Sequence, residues 1–143
     1  MNANPEQQEI INEFKDLTSW EEKYEKIIML GKGLPELASK YKKEENKVSG
    51  CTSRVWLVAE QKDNKLFFES DSDSMMVKGL VSLLLRLYSG KTFQEIIQIQ
   101  PDFIDQIGLK SHLSPTRNNG LLAVLKQIKV YAIAYSHKVN LGR

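Results

Sequence analysis

The stretch VWLVAEQKDNKLFFES, residues 55–70, decides the fold class. Residues 55–61 and 65–70 are short runs rich in β-branched and aromatic side chains, and the polar KDN segment between them is typical of a turn. The stretch therefore predicts a β-hairpin. A lone hairpin is only marginally stable in water, whereas three strands packed against a helix are stable. We expect residues 47–49, just before the hairpin, to add a short third strand.

The longest apolar pattern follows the hairpin directly. In MMVKGLVSLLLRLYSG, residues 75–90, apolar side chains cover almost every side of a helix, which is typical of a central buried helix. Asp71 and Asp73 stand just before it, where acidic side chains favour a helix N-terminus. A calcium loop is excluded, because its required glycine is absent and Ser82 stands where a bidentate glutamate belongs. We therefore expect the two aspartates to act as N-capping residues.

Further helices are predicted on both sides of this centre. Asn4 and Thr92 are N-cap candidates, another helix starts at Thr18 and Ser19, and each start is followed by apolar residues at helical spacing. Residues 34–43 predict one more short helix. A final helix begins at Ser114 and Pro115, and we expect it to fray from about residue 136. Its apolar stripe comprises Leu121, Leu125, Ile128, Ala132 and Tyr135. The fold class is therefore α+β, a single domain over residues 1–143 with a small antiparallel sheet of about three strands packed by several helices.

Composition and charge exclude several classes of function. A net charge of +2 gives no electrostatic case for nucleic-acid binding. No carboxylate follows Asp105, so the C-terminal third is either a solvated helix face or a surface that steers an acidic partner. The first residues lack the pattern of a signal peptide, and no apolar stretch reaches membrane length. We expect a cytoplasmic protein that binds neither membranes nor nucleic acid.

Cys51 is the single cysteine of the chain, and its sequence context is unusual. One thiol can form no internal disulfide and cannot by itself hold a thiolate zinc site or an iron–sulfur cluster, so no metal is expected. A lone cysteine is most often a small buried hydrophobe. Cys51, however, follows Gly50 and stands among small polar residues, in a turn between two extended segments. This position favours a reactive thiol that another protein can reach.

The residues supply no complete active site around this thiol. A cysteine hydrolase needs a base, and the only histidines are His112 and His137, without a family signature. Arg54 and Arg117 are candidate cations for lowering the pKa of the thiol. A nucleophile without its machinery is typical of a carrier that receives a group from an enzyme. Sulfur suits a thiol carrier, because a persulfide forms by thiolate attack on an activated sulfur.

Four separated motifs resemble the SufE family of sulfur acceptors. They are TSWEEKYEKIIMLGKGLPEL, VSGCTSRVWL, DSDSMMVKGLVSLLLRLYSGKT and HLSPTRNNGL, in the family's order, from about Trp20 into the last helix. The resemblance implies a fold similar to that of IscU-type scaffold proteins. It also implies that Cys51 is the catalytic acceptor cysteine, at a loop tip tucked toward an apolar pocket. The loop and partner-interface residues that it implies are Gly50, Ser49, Thr52, Asp73 and Arg117.

The resemblance further implies a partner and a pathway. A SufS-type cysteine desulfurase would supply a persulfide sulfur to Cys51, would be stimulated by this chain, and would hold the pyridoxal phosphate, so that this chain needs no cofactor of its own. An iron–sulfur scaffold complex would receive the sulfur. Two alternatives stay open: a non-catalytic adaptor that activates a desulfurase by docking, and a small cysteine hydrolase. The choice between SufE and CsdE-type paralogues, and self-association as a homodimer, stay open as well.

Overall fold

The computed structural model describes residues 4–141, with side chains through residue 138. It contains three strands and seven α-helices within this range. In chain order they are α1 (Pro5–Lys15), α2 (Trp20–Gly33), β1 (Val55–Lys62), β2 (Lys65–Ser72), α3 (Met75–Tyr88), β3 (Lys91–Thr92), α4 (Phe93–Gln98), α5 (Phe103–Gln106), α6 (Leu109–His112) and α7 (Pro115–Leu141).

The sheet is antiparallel with the order β1-β2-β3. The predicted hairpin is confirmed: β1 and β2 pair from Val55 opposite Ser72 to Lys62 opposite Lys65. The third strand is not where we expected it. β3 follows the central helix and pairs with β2, whereas Lys47 makes only an isolated bridge to Trp56. A longer ladder before β1 is prevented because the chain turns away at Gly50, whose φ is +91°.

Helix α3 is the centre of the molecule, as its sequence predicted. Eleven of its fourteen residues are buried, and it packs against α2, β2 and α7. The α2–α3 approach is close, because a Cβ on Gly79 would collide with the carbonyl of Ile27. Burial of this helix and of the sheet face beneath it supplies the hydrophobic stabilisation of the domain. The α+β fold class is confirmed.

The predicted N-caps of α1, α2 and α4 are confirmed, but those of α3 are not. Asn4 Oδ1 accepts from the Gln7 N–H at 3.1 Å, and Ser19 and Thr92 each form a reciprocal capping box. The N-cap of α3 is Ser74, whose hydroxyl accepts from the Val77 N–H. Asp71 and Asp73 do not cap α3, because Asp71 still belongs to β2 and Asp73 binds Arg54 instead. Their actual partners are described with the site below.

One further prediction of helical structure was wrong. Residues 34–43 form an irregular segment with a single 3-10 turn, Ser39–Tyr41. The Leu37 N–H donates to the carboxylate of Asp71 in β2 instead of to a carbonyl of a helix. The last helix is described as far as Leu141, and residues 142–143 lie outside the described residues. Fraying from about residue 136 stays a prediction. Among residues 4–141, no helix combines the length and the apolar character needed to cross a lipid bilayer.

Candidate functional site

Cys51 lies in a short loop, residues 49–54, that leads into β1. Before it, buried Val48 donates its N–H to the Val55 carbonyl at 2.8 Å, which closes the loop at its base. Gly50 has a φ of +91°, in the left-handed region that residues with a side chain rarely adopt. Its backbone lies against α7: a Cβ added to Gly50 would be 3.4 Å from the Cβ of Ala123. Ser49, Gly50 and Thr52 are exposed, whereas Cys51 is half-buried. The loop thus turns its thiol toward the protein, while Ser49 and Gly50 remain exposed to solvent.

Asp73 fastens the far end of this loop. Its carboxylate accepts from the Arg54 backbone N–H at 3.1 Å and from Arg54 Nε at 3.3 Å, while its own N–H donates to the Arg54 carbonyl. Both side chains are largely exposed, so the ion pair contributes little energy by itself. The two hydrogen bonds that Asp73 makes to the backbone N–H and carbonyl of Arg54 set the path of the chain. Asp73 is therefore a loop brace, and the Arg54 guanidinium is engaged with it.

The sulfur atom of Cys51 points at a gap between the loop, α3 and α7. Its thiol donates a weak hydrogen bond to the Gly120 carbonyl, with Sγ and O 3.6 Å apart. Beside it lies a cavity of about 30 Å³, which exceeds the ~10–15 Å³ that a single water needs. The cavity is lined by Cys51, Thr52, Ser53, Val55, Val77, Leu80, Val81, Thr116, Arg117, Gly120, Leu121 and Val124. The cavity can therefore accommodate one additional atom of about the size of a water molecule next to Sγ.

Burial raises the pKa of the Cys51 thiol above its ordinary value. The physical cause is desolvation, which penalises the charged thiolate relative to the neutral thiol. Arg117 lines the same cavity and is half-buried, but burial remains the dominant influence on the sulfur. Burial therefore favours the protonated thiol at neutral pH. A change that hydrates the sulfur would favour the nucleophilic thiolate.

Neither histidine of the chain lies at the thiol. The His112 ring stacks on Trp20, with ring centroids 4.8 Å apart, and its Nδ1 is 3.2 Å from the Gly108 carbonyl. His137 lies on α7 seventeen residues after Gly120, which corresponds to about 25 Å along the helix. In the described part of the chain, the walls of the Cys51 cavity hold neither histidine nor carboxylate. This arrangement gives no support to a cysteine hydrolase.

Of the residues named from the sequence, the structure assembles most around one loop. Cys51, Thr52 and Arg117 line the cavity, Gly50 turns the loop, and Asp73 braces it. Ser49 is exposed and does not line the cavity. Gly120 was missed, although a glycine inside a predicted helix is a known sign of close packing. A Cβ there would lie 3.7 Å from Sγ.

Asp71 was also misinterpreted, and it holds a second cluster that includes Lys78 of α3. It is 3% exposed, accepts from the Leu37 and Ser72 N–H groups, and binds Lys42 and Lys78 at 3.2 Å each. Burial favours a higher pKa for Asp71, but these backbone and ammonium donors prevail and lower it. Lys78 within the apolar run was the available signal, because a buried lysine needs a carboxylate.

Within residues 4–141, no cluster of three or more histidine, cysteine, aspartate or glutamate side chains is arranged to hold a metal ion. Comparison with known families now adds to the geometry. The family model SufE, described as an Fe-S metabolism associated domain, matches residues 8–132. The chain belongs to the SufE family. The family assignment made from the four motifs is confirmed, and it connects the chain with iron–sulfur metabolism.

Named SufE-like relatives agree with this assignment. An uncharacterized SufE-like protein of Rhizobium meliloti (strain 1021) is 44% identical over 126 residues, 85% of this chain and 90% of that protein. An uncharacterized SufE-like protein of Synechocystis (strain PCC 6803) is 37% identical over 131 residues, 92% of this chain and 82% of that protein. SufE-like protein 1, chloroplastic/mitochondrial, of Arabidopsis thaliana is 43% identical over 130 residues, 90% of this chain. The match spans only 35% of the Arabidopsis protein.

A solved structure shares the fold of this SufE chain. It is the solution structure of a hypothetical protein from Thermus thermophilus, with a TM-score of 0.75 over 93% of this chain and 97% of that one. The sequences are 19% identical, so the likeness concerns the fold alone. The α+β arrangement described above is therefore found in an experimentally solved protein.

Proposed function

We propose that this SufE-family chain is a sulfur acceptor, in which Cys51 takes a persulfide sulfur from a cysteine desulfurase of the SufS type. The observation that carries the proposal is the setting of the thiol: it is half-buried at the tip of a braced loop, beside a small apolar cavity and without a base. The pyridoxal phosphate that strips sulfur from L-cysteine belongs to the donor enzyme. An iron–sulfur scaffold complex is the recipient.

The transfer is a thiol exchange without net oxidation. The Cys51 thiolate attacks the terminal sulfur of the donor's persulfide, a bond forms between the two sulfurs, and the donor's S–S bond breaks. The donor cysteine leaves as a thiolate with the electron pair of that bond. The terminal sulfur keeps its proton and is now bonded to Cys51, which gives a Cys51 persulfide. The proton of the Cys51 thiol is lost to solvent or to the donor's site before the attack.

The raised thiol pKa supports a mechanism in which Cys51 is activated in the docked state. At rest, Cys51 is protonated and shielded, so oxidants and small thiols reach it slowly. The contacts that hold it there are few: one weak S–H hydrogen bond to Gly120 and van der Waals contacts with the cavity wall. A donor protein that pulls residues 49–54 outward would hydrate the sulfur and lower its pKa. The cavity would receive the loaded sulfur when the loop returns.

Mass spectrometry of the chain after incubation with a desulfurase and L-cysteine tests the proposal. We expect a reducible gain of one or more sulfur atoms on the peptide that carries Cys51. The gain should be absent without the enzyme and absent in Cys51→Ser. Ser39→Ala is the control, because Ser39 is an exposed serine outside the cysteine loop and does not line the cavity. No enzyme-dependent gain on the wild-type chain would contradict the acceptor role.

The same materials separate the acceptor from an adaptor that acts by docking alone. An acceptor variant Cys51→Ala should still bind the desulfurase but should lose the stimulation of its turnover. An adaptor would keep the stimulation, because docking does not need the sulfur. Retained stimulation by Cys51→Ala, with normal binding, would therefore replace the proposal by the adaptor function.

A further inference from the structure

Helix α7 has an exposed apolar face that the domain does not use. One side of α7 packs into the core through Leu121, Val124, Ile128 and Ala132, each at most 5% exposed. On another side, Leu122, Val130 and Ile133 are 57%, 44% and 48% exposed. At 100° per residue, these three and Lys126 fall within one sector of the helix. We name this set, Leu122, Lys126, Val130 and Ile133, the α7 stripe.

The α7 stripe begins beside the cysteine loop. Ala123, next to Leu122, is the α7 residue that the Gly50 backbone approaches. The Gly120 carbonyl accepts the hydrogen bond of the Cys51 thiol. From Gly120 to Ile133 the helix rises about 20 Å. A protein that reaches the sulfur from solvent therefore has the stripe directly available as a second contact area. Three exposed apolar residues in one row exceed the scattered single ones that surfaces normally carry.

The charge of this region specifies the kind of partner. No carboxylate occurs after Asp105 in the sequence. Lys126 makes none of the ion pairs found among residues 4–141, and it is exposed in the middle of the stripe. Lys129, by contrast, is occupied by the carbonyls of Ile96, Ile97 and Ile99. A partner surface with carboxylates around an apolar centre complements this face.

A second copy of the chain is a poorer occupant. Twofold pairing of the stripe would place the same surface on itself, because such interfaces are isologous. It would bring the Lys126 side chains of both copies and their basic neighbours together, with no acidic residue on α7 to separate them. Like charges facing each other at an interface oppose association. The charge pattern therefore favours a different, acidic protein.

We propose that the α7 stripe is the part of this chain that holds the sulfur donor while the cysteine loop opens, and that it docks an apolar surface of the desulfurase bordered by carboxylates. This inference rests on the proposed function. It adds that binding and transfer are carried by different residues: the stripe supplies affinity, and Cys51 supplies chemistry. Removing the stripe should therefore weaken docking without changing the intrinsic reactivity of the thiol.

The test compares two double variants by calorimetric titration with the desulfurase of the same genome. The stripe variant is Leu122→Asp with Lys126→Glu. The control is Met29→Asp with Lys15→Glu, which makes equivalent changes at exposed positions on α2 and α1. We expect the stripe variant to bind at least about tenfold more weakly, whereas the control stays within about twofold of wild type. The affinity of the wild type should also fall more steeply with salt than that of the stripe variant.

A second measurement separates failure of this inference from failure of the proposed function. Both variants and the wild type are treated with glutathione persulfide, a small donor that needs no docking, and all should acquire sulfur on Cys51 at the same rate. If the stripe variant and the wild type bind the desulfurase with equal affinity, the stripe inference alone is overturned. It is also overturned if the control variant loses as much affinity as the stripe variant. A stripe variant that changes only the oligomeric state in sedimentation would overturn it in favour of self-association. A wild-type chain that gains no sulfur from the desulfurase would overturn both.

Discussion

The two polar groups flanking α3, the Cys51 thiol and the Asp71 carboxylate, are buried in opposite ways. Asp71 is 3% exposed and has four donors, and these lower its pKa although burial opposes them. Cys51 is half-buried and has one weak bond, and its pKa is raised by burial. A fully satisfied buried group fixes the backbone around it, whereas a sparsely held one can leave at small cost. The comparison indicates a rigid corner at Asp71 and a releasable loop at Cys51.

Breaking the rigid side should have the largest effect. Asp71→Ala leaves Lys78 buried without its carboxylate and leaves the Leu37 N–H without its acceptor. We expect a loss of about 3–5 kcal/mol in the free energy of unfolding. Urea denaturation followed by circular dichroism measures it. Glu44→Ala is the control, since its pair with Lys47 is exposed and should contribute less than about 1 kcal/mol. A loss below that of the control would contradict the rigid-corner interpretation.

Acid should weaken the same cluster. Because the pKa of Asp71 is lower in the folded chain than in the unfolded chain, its contribution to stability is fully present above the ordinary aspartate pKa. The contribution is lost as the pH falls from there through the lowered, folded-state pKa. The stability difference between wild type and Asp71→Asn should therefore shrink over that range. A difference that stays constant down to the acid transition would show that Asp71 is not charged in the cluster.

On the releasable side, Gly50→Ala should have an intermediate effect. Its φ of +91° is strained for alanine, and the new methyl group would meet Ala123 at 3.4 Å. We expect a loss of about 1–2 kcal/mol, with the loop displaced and Cys51 alkylated faster. Gly33→Ala is the matched control, because nothing lies within 4 Å of a Cβ there. Unchanged stability and unchanged alkylation in Gly50→Ala would contradict the described turn.

The smallest effect on stability should come from the loop brace. Asp73→Ala removes the acceptor of the Arg54 N–H, but both side chains are largely exposed, so the loss should stay below about 1 kcal/mol. Iodoacetamide should nevertheless react several-fold faster with Cys51, since the loop opens more often. Asp73→Asn keeps the oxygen that accepts from the backbone and should stay close to wild type. Equal rates in all three proteins would show that Asp73 does not restrain the loop.

The sequence predicted the parts of the fold that follow from local pattern. The hairpin, the buried α3 and the caps at Asn4, Ser19 and Thr92 depend on period and capping chemistry within a few residues, and all are confirmed. The third strand was misplaced because pairing of Lys91 and Thr92 with β2 is a tertiary event. A two-residue strand carries no period of its own.

The candidate site divides in the same way. Cys51 and Gly50 were identifiable as a loop thiol after a glycine, and the motifs added Asp73 and Arg117. Lys78 in the apolar run signalled a carboxylate partner, but the pairing of Asp73 with Arg54 and of Asp71 with Lys42 was not identifiable, because these groups meet only in the folded chain. The same holds for the Gly120 carbonyl, which is 69 residues from Cys51. Acid side chains before a helix are normally read as caps, and here tertiary contacts prevailed.

Single-turnover transfer of labelled sulfur tests the central claim most directly. A desulfurase is loaded with sulfur from labelled L-cysteine, freed of excess substrate and mixed with the chain. The acceptor account predicts that the label leaves the enzyme and appears on the peptide containing Cys51, and that Cys51→Ser binds the enzyme but takes no label. If the label stays on the enzyme while the wild-type chain is bound to it, the sheltered thiol is not a sulfur acceptor.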